Sequence, residues 1–223
     1  MPAETRYLPE VPSLGRIQQL LAGCGLEADG NLAGQVRRFL GLLLRWNQRL
    51  NLTGLRHPDA MVVDLFAESF WAARLLGSEQ GPLLDIGSGA GFPGLAIKLA
   101  CPALEVFLLE PRQKRATFLS AVCRELQIPG VRVLPKRLEE CREGDFARPP
   151  RLLTLRAVGP VGSLIEAARP GMDPSGKVLW FTTRKRLAEG LPAGKRVAWG
   201  APRPLPWTRQ KVLLWGTWRG LAP

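Results

Sequence analysis

The chain has 223 residues, of which 46% are apolar, and it carries a formal net charge of +12. This composition excludes an intrinsically disordered chain and supplies enough apolar side chains for one substantial core. No apolar run approaches the roughly 18 residues that cross a membrane, and Met1 to Glu10 lacks the apolar centre of a secretion signal, so we expect a cytoplasmic protein.

Helical periodicity dominates the first third of the chain. A first helix is predicted after the N-cap Ser13, a second has an apolar face over residues 36–46, and a third begins at Pro58. The connection to the following strand is short, so we expect residues 1–77 to form a helical extension packed on a domain of residues 78–223.

Strands and helices alternate in the rest of the chain. This alternation predicts an α/β fold with a mostly parallel, doubly wound sheet. The fourth strand is entirely apolar and is predicted to be central. The predicted strands are 83–86, 105–110, 131–134, 152–155 and 177–181, the helices are 93–100, 114–126 and 161–168, and a late antiparallel pair is 197–199 with 212–216.

A glycine-rich segment, residues 85–94, joins the first strand to its helix. Counted from Gly89, the glycines satisfy G-x-G-x-x-G, the pattern of a dinucleotide site with a pyrophosphate at the helix start. Counted from Gly87, they form a tighter G-x-G-x-G that follows Asp85. A carboxylate there would repel a pyrophosphate but suits the amino and sulfonium groups of S-adenosylmethionine, so the methyl donor is favoured.

Three further candidates follow the later strands. Glu110 comes about 20 residues after the glycines, where an acidic residue binds the ribose hydroxyls of either NAD or S-adenosylmethionine. Arg137 and Leu138 follow the third strand and either face an adenine or belong to a simple charged loop. Arg156 ends the fourth strand and is predicted to pair with Asp85, with Glu110 or with a ligand carboxylate, because a charge on an apolar strand is costly when unpaired.

The positive charge favours a polyanionic partner such as nucleic acid over a merely solvated basic surface. Trp180 and Trp207 are candidates for stacking on bases, although core positions are the commoner use of Trp. Four scattered cysteines and one histidine predict reduced thiols and no metal site. The basic clusters are Arg112/Lys114/Arg115, Arg184/Lys185/Arg186, Lys195/Arg196 and Arg209/Lys211.

Motifs through most of the chain resemble those of one family. They are Trp46-Asn47, Asn51-Leu52-Thr53, residues 85–94, Leu109-Glu110, Lys114-Arg115, Phe118-Leu119, Arg137-Leu138-Glu139-Glu140 and Arg156-Ala157. With them the chain resembles the small-subunit (16S) rRNA guanine-N7 methyltransferase G family, also called glucose-inhibited division protein B. The Gly-Phe-Pro-Gly end of the glycine segment and the Asn-Leu-Thr motif are its most specific elements.

The resemblance implies a Rossmann-like class I methyltransferase fold with an N-terminal helical layer. It implies S-adenosylmethionine as methyl donor and N7 of a guanine in 16S rRNA of the small ribosomal subunit as acceptor; we expect a monomer. Methylation of N7 needs no general base, so no catalytic residue is assigned. The predicted donor-binding residues are Asp85, Gly87, Gly89, Gly91, Phe92, Glu110, Arg137, Leu138 and Arg156.

Four stretches depart from the family pattern. Asp64-Leu65 stands where the family usually has a basic-His pair, in the stretch that ends at Ser69. Thr182-Thr183 replaces a Lys-Gly, Gln210 replaces a His after Arg209, and Arg151 replaces an acidic residue. These departures lie outside the donor loop, so they leave the donor prediction intact and leave the acceptor more open.

Three alternative functions therefore remain. They are an NAD-dependent oxidoreductase, a non-catalytic RNA-binding protein on a methyltransferase fold, and a small-molecule methyltransferase, the last disfavoured by the positive charge.

Overall fold

The structure, a computed structural model, describes residues 9–77, 81–142, 144–192 and 196–219. The α-helices are α1 (Leu14–Gly23), α2 (Gly30–Leu50), α3 (Pro58–Met61), α4 (Glu68–Leu76), α5 (Gly94–Ala100), α6 (Gln113–Glu125), α7 (Val161–Ala168) and α8 (Arg184–Ala188). The strands are β1 (Leu83–Ile86), β2 (Val106–Leu109), β3 (Val131–Leu134), β4 (Leu152–Arg156), β5 (Lys177–Thr183), β6 (Val197–Trp199), β7 (Arg203–Pro204) and β8 (Lys211–Trp218).

The N-terminal helices begin and end at the predicted signals. The Ser13 hydroxyl accepts a hydrogen bond from the Arg16 backbone N–H at 3.2 Å and caps α1. Asn51 ends α2 in the left-handed region, with φ of 46°. The third predicted helix is continuous from α3 to α4 but contains a π-helical segment, Val62–Ala67, that the sequence pattern did not predict.

The Asn-Leu-Thr motif closes the turn after α2. The Asn47 side chain accepts a hydrogen bond from the Thr53 backbone N–H at 2.9 Å and donates one to the Thr53 carbonyl at 3.1 Å. Arg115 of α6 donates a hydrogen bond to the Asn51 carbonyl at 3.4 Å. The motif thus has a local structural function, since one amide side chain satisfies both backbone groups of a turn residue.

The sheet has the order β3-β2-β1-β4-β5-β8-β6, with β7 also paired to β8. Strands β1 to β5 are parallel, and β8 runs antiparallel to β5 and β6. The α/β class and the central position of β4 are confirmed. The prediction missed α8 and β7, which are too short to show a period.

Helices cover both faces of the sheet, so each face carries apolar side chains. On one face, α7 and the 3-10 turn Arg169–Gly171 lie over β1, β4 and β5. On the other, α5 and α6 join with the N-terminal helices in one continuous core. Phe39 of α2 lies at its centre, stacked on Phe92 with ring centroids 5.2 Å apart and edge-on to Phe66 at 5.3 Å.

Candidate functional site

The loops that follow the parallel strands meet at the carboxyl edge of the sheet, where ligands bind in open α/β folds. The loop after β1 turns sharply because Gly87, Gly89 and Gly91 have φ of +71°, +54° and +91°. The backbone N–H groups of Gly87 and Ser88 both donate to the Leu109 carbonyl, at 2.8 and 3.1 Å, and so bind the loop to the end of β2.

Gly87 lies directly against the loop after β4. A β-carbon at Gly87 would come 2.7 Å from Val158 Cγ1, closer than real contacts allow. Ala157, between that loop and β4, has φ of +50°, a conformation that is unusual for a residue with a β-carbon and that recurs at functional sites. The two loops therefore pack closely against each other, and only a residue without a β-carbon fits at position 87.

Asp85 lies inside the molecule, where it supports this loop. It is 0% exposed, and its carboxylate accepts hydrogen bonds from the Thr154 hydroxyl at 2.7 Å and the Gly94 backbone N–H at 3.2 Å. Burial raises the pKa of Asp85 to about 6, although these hydrogen bonds oppose the rise. The carboxylate has no exposed surface for a ligand, so the geometry does not support the predicted direct contact.

Gly91 and Phe92 also face inward. Phe92 is buried between Phe39 and Phe66, with the Phe66 ring edge-on at 4.9 Å. A β-carbon at Gly91 would lie 2.9 Å from Phe39 Cζ. The Phe92 ring thus packs against the helical layer, where a dry aromatic cluster favours it. The predicted contact of Gly91 and Phe92 with the donor stays a prediction, which only their backbone atoms could make.

Glu110 joins the loops after β1 and β2. One carboxylate oxygen accepts a hydrogen bond from the Gly89 backbone N–H and the other from the Arg112 backbone N–H, both at 2.9 Å. Each oxygen of a carboxylate has a second acceptor position, so the side chain retains capacity for ligand hydroxyls. Its predicted contact with a ribose stays a prediction.

Arg137 and Leu138 lie where the sequence predicted, after β3. Arg137 is exposed, and its backbone N–H donates to the Glu140 carboxylate at 2.6 Å. Leu138 is half-buried and lines a cavity of about 670 Å³ with Phe146 and Met172, on the α7 face of the sheet. This cavity does not include the glycine loop.

Arg156 has a different partner from those predicted. It forms an ion pair with Glu68 of α4 at 3.0 Å and donates to the Asp64 carbonyl at 2.7 Å. Pairing with Asp85 or Glu110 was therefore wrong, and the predicted contact with a ligand carboxylate stays a prediction. Glu68 is only 3% exposed, and a buried carboxylate requires a cation, which the end of the neighbouring β4 supplies.

Glu68 was missed by sequence reasoning, although its position between the apolar residues Phe66, Ala67 and Phe70 was a usable signal. Lys211 of β8 also contacts the Glu68 carboxylate, and it pairs with Asp64 at 3.0 Å. Burial raises the pKa of Glu68, while Arg156 and Lys211 act in the opposite direction.

A cavity of about 280 Å³ opens beside this ion-pair network, at the ends of β4 and β5 and the start of β8. Within the described chain, two buried polar atoms of its lining residues, Arg156 Nη1 and Thr182 Oγ1, have no hydrogen-bond partner. The lining residues are Glu68, Arg156, Ala157, Phe181, Thr182, Thr183, Arg186, Leu205, Lys211, Val212 and Leu213.

One of the four departures from the family pattern, Thr182-Thr183, lines this cavity, and two others are close to its lining residues in the chain. Asp64 pairs with the lining residue Lys211 at 3.0 Å, and Gln210 precedes Lys211 in the chain. Arg151 lies at the opposite edge, where its guanidinium is 4.0 Å from Asp173.

Most of the predicted basic clusters also lie at the carboxyl edge. The residues around Arg112 follow β2, those around Lys185 follow β5, and Arg209 precedes the antiparallel β8. Arg196 is at the other edge and pairs with Glu166 at 2.7 Å, and Lys195 is outside the described residues. Three of the predicted clusters thus lie at the edge of the sheet that also carries the glycine loop.

The tryptophans and cysteines have the structural functions that the sequence favoured. Trp180 is buried in the core, and Trp207 packs edge-on against Trp71 with centroids 5.8 Å apart. All four cysteines are free, and burial raises their pKa values, that of Cys123 to about 11, so none is an activated thiolate. The described residues contain no group of three or more His, Cys, Asp or Glu side chains placed to hold a metal.

Comparison with protein families finds one matching model, described as rRNA small subunit methyltransferase G, over residues 33–198. Proteins named ribosomal RNA small subunit methyltransferase G are similar over most of their length. That of Halorhodospira halophila is 35% identical, covering 73% of this chain and 75% of the relative. That of Leptothrix cholodnii is 31% identical, covering 81% and 91%. That of Stenotrophomonas maltophilia is 34% identical, covering 85% and 87%.

Similarity to solved structures extends the comparison of the fold. A SAM-dependent methyltransferase from Aquifex aeolicus has a TM-score of 0.55 at 13% identity, covering 76% of this chain and 97% of that one. A point mutant of MtNAS in complex with S-adenosylmethionine has a TM-score of 0.54 at 14% identity, covering 92% and 78%. At such identities the likeness concerns the fold. No helix in the described ranges is long and apolar enough to cross a membrane.

Proposed function

The chain belongs to the rRNA small subunit methyltransferase G family, and we propose that it transfers a methyl group from S-adenosylmethionine to N7 of a guanine in 16S rRNA. The observation that carries this proposal is the family match over residues 33–198, which includes the glycine loop and the strand ends around it. The match also favours a methyl donor over NAD, as the acidic residue before the glycines did.

The residues around the glycine loop fit such a donor. Gly87 has φ of +71° and packs against Val158 too closely for a β-carbon, so only bare backbone is present at this point of the loop. We assign Gly87, Gly89 and Glu110 to the donor, with Glu110 on its ribose, and Arg137 and Leu138 to its adenine end. Asp85, Gly91 and Phe92 are buried, and their contacts with the core fix the position of the loop, so we assign them as positioning residues.

When bound, S-adenosylmethionine supplies an electrophilic methyl group: the N7 lone pair forms the new bond, the C–S electron pair stays on sulfur, and the positive charge moves from sulfonium to base. N7 carries no proton, so no side chain needs to act as a base. The protein contributes alignment and exclusion of water, both of which depend on a rigid loop. The hydrogen bonds from the loop to Leu109 and Glu110 provide that rigidity.

The basic carboxyl edge suits an RNA partner. Clusters after β2 and β5 and before β8 place cations beside the proposed donor site, where they would hold phosphates around an extruded base. We further propose that the substrate is the small ribosomal subunit or its precursor, that the protein acts as a monomer in the cytoplasm, and that residues 1–77 are an extension of one folding unit.

The test is methyl transfer from labelled S-adenosylmethionine to small-subunit particles from cells that lack this gene. We expect one new 7-methylguanosine in 16S rRNA, identified by nucleoside mass spectrometry. Particles from cells that have the gene serve as the control and should accept no further methyl group. Binding of the donor without transfer would support the non-catalytic alternative, and stoichiometric binding of NAD alone would overturn the proposal.

A further inference from the structure

We propose that the cavity beside Glu68 and Arg156 holds the acceptor guanine by its Watson–Crick edge and leaves N7 free for the methyl group. The proposal rests on the function proposed above and adds the site and the residues that recognise the base. It gives Arg156, predicted from sequence as a donor contact, a contact with the acceptor as well.

Position in the sheet places the cavity next to the donor loop. Arg156 ends β4, which pairs directly with β1, and Thr182 is near the end of the next strand, β5. Neighbouring strands are about 4.8 Å apart, so the cavity begins roughly one strand from the glycine loop and extends over a second. A methyl group presented at the end of β1 would face a base held there.

The volume suits one base. At about 280 Å³ the cavity lies just below the roughly 300–1,000 Å³ that encloses a drug-sized molecule. Phe181 and Leu205 supply apolar walls, and Glu68, Arg156 and Thr182 supply polar ones. This is the composition of a small-molecule site, in which few polar groups fix the orientation.

The polar walls match the edge of guanine. Arg156 Nη1 and the Thr182 hydroxyl are buried donors without a partner in the described structure, and an acceptor such as guanine O6 would satisfy them. Glu68 accepts one contact per oxygen, from Lys211 and Arg156, which leaves acceptor positions for the adjacent N1–H and N2–H groups. Adenine and cytosine lack two adjacent donors beside an acceptor.

A carboxylate at this edge also favours the reaction. Positive charge develops on the guanine as N7 gains the methyl group, and it strengthens the hydrogen bonds that N1–H and N2–H donate. Interactions that strengthen in the transition state raise the rate rather than only the affinity. Glu68 is therefore expected to act on the transfer step itself.

The test uses the full-length protein, S-adenosylmethionine and small-subunit particles in single-turnover transfer. Loss of a hydrogen bond to a charged group predicts that Glu68→Gln slows transfer by about 10- to 100-fold without changing donor affinity. Glu166→Gln is the matched control, because Glu166 pairs with Arg196 at the opposite edge. Particles with inosine at the modified guanine lack only the N2 amino group. Compared with normal particles, they should slow methyl transfer by the wild type about tenfold and should not slow transfer by Glu68→Gln.

Thr182→Val tests the site if Glu68→Gln does not fold. Removing an unpartnered buried hydroxyl should leave the melting temperature equal to or above that of the wild type, yet slow transfer by about tenfold. A merely structural Thr182 would instead lower the melting temperature. Thr217→Val, on the same sheet at the opposite edge, is the control.

The outcomes separate the two proposals. If the wild type forms 7-methylguanosine while Thr182→Val and any folded Glu68→Gln behave as their controls do, the acceptor site is wrong and the methyltransferase function stands. If the wild type transfers no methyl group to any particle, the function itself fails and the acceptor site with it.

Discussion

The carboxylate of Asp85 is in contact with the backbone of Gly94. Its Oδ2 accepts a hydrogen bond from the Gly94 N–H at 3.2 Å, and a β-carbon at Gly94 would lie 2.6 Å from Asp85 Cβ. The end of β1 and the first residue of α5 are thus fixed to each other, and the glycine loop lies between them. Loop geometry is set by a buried contact rather than by the ligand.

Gly94→Ala should disturb this contact. The added methyl group cannot be accommodated without moving Asp85, and we expect a loss of about 1–3 kcal/mol in the free energy of unfolding, as for other overpacked cores. Gly34→Ala is the control, because a β-carbon at Gly34 in α2 meets nothing within 4 Å and should stabilise the helix by about 0.5–1 kcal/mol. Urea unfolding measures both. Equal effects would contradict the packing argument.

The buried Asp85 also predicts a pH dependence of stability. Its pKa is raised from 3.8 to about 6 in the folded protein, so between these values the folded state binds a proton that the unfolded chain has released. The free energy of unfolding therefore falls as the pH rises through this window and stays lower above it. Two pKa units correspond to roughly 3 kcal/mol as an order of magnitude.

Asp85→Asn should remove this component. The amide can accept the Gly94 N–H and donate to the Thr154 hydroxyl without carrying a charge, so we expect greater stability than the wild type at about pH 8 and a smaller change down to about pH 5. Other groups, including Glu68, titrate in both proteins and cancel in the comparison. Parallel pH profiles for the two proteins would show that Asp85 titrates normally.

Gly87→Asp should abolish donor binding, measured by calorimetry. The introduced aspartate side chain would clash with Val158 and would add a carboxylate beside the proposed donor site. Gly25 is the matched control, because it has the same φ of +71° but a β-carbon there meets nothing within 4 Å. Gly25→Asp shares the backbone strain and should bind S-adenosylmethionine normally. Normal affinity in Gly87→Asp would overturn the assignment of the donor site.

The sequence was sufficient to predict the secondary-structure elements that depend on local hydrophobic periodicity and on their order along the chain. Strands β1 and β3 and helix α7 have the predicted bounds, because short apolar runs between turn residues are clear in an α/β chain. The glycine segment was likewise placed correctly at the end of β1. These features need no knowledge of which helix packs on which strand.

The orientation of individual side chains was less predictable. Phe92 and Asp85 lie in the motif, but their side chains face inward. The Phe92 ring packs on Phe39 of the helical layer, and the Asp85 carboxylate accepts a hydrogen bond from Thr154 of the neighbouring strand β4. The pairing of Arg156 with Glu68 joins residues far apart in the chain, across two layers. Such contacts depend on the packing of α4 over the sheet, which no periodicity encodes.

The basic clusters at the carboxyl edge predict where RNA phosphates are held. Lys185 is exposed in α8, directly after β5, so Lys185→Gln should lower the slope of log affinity against log salt by about 1 in binding to small-subunit particles. Arg148→Gln removes the same charge at the opposite edge, where Arg148 pairs with Glu105 at 3.3 Å, and should leave the slope unchanged. Filter binding over a range of salt concentrations compares the two variants. A lower slope for Arg148→Gln and none for Lys185→Gln would place the RNA on the other edge of the sheet, away from the proposed donor and acceptor sites.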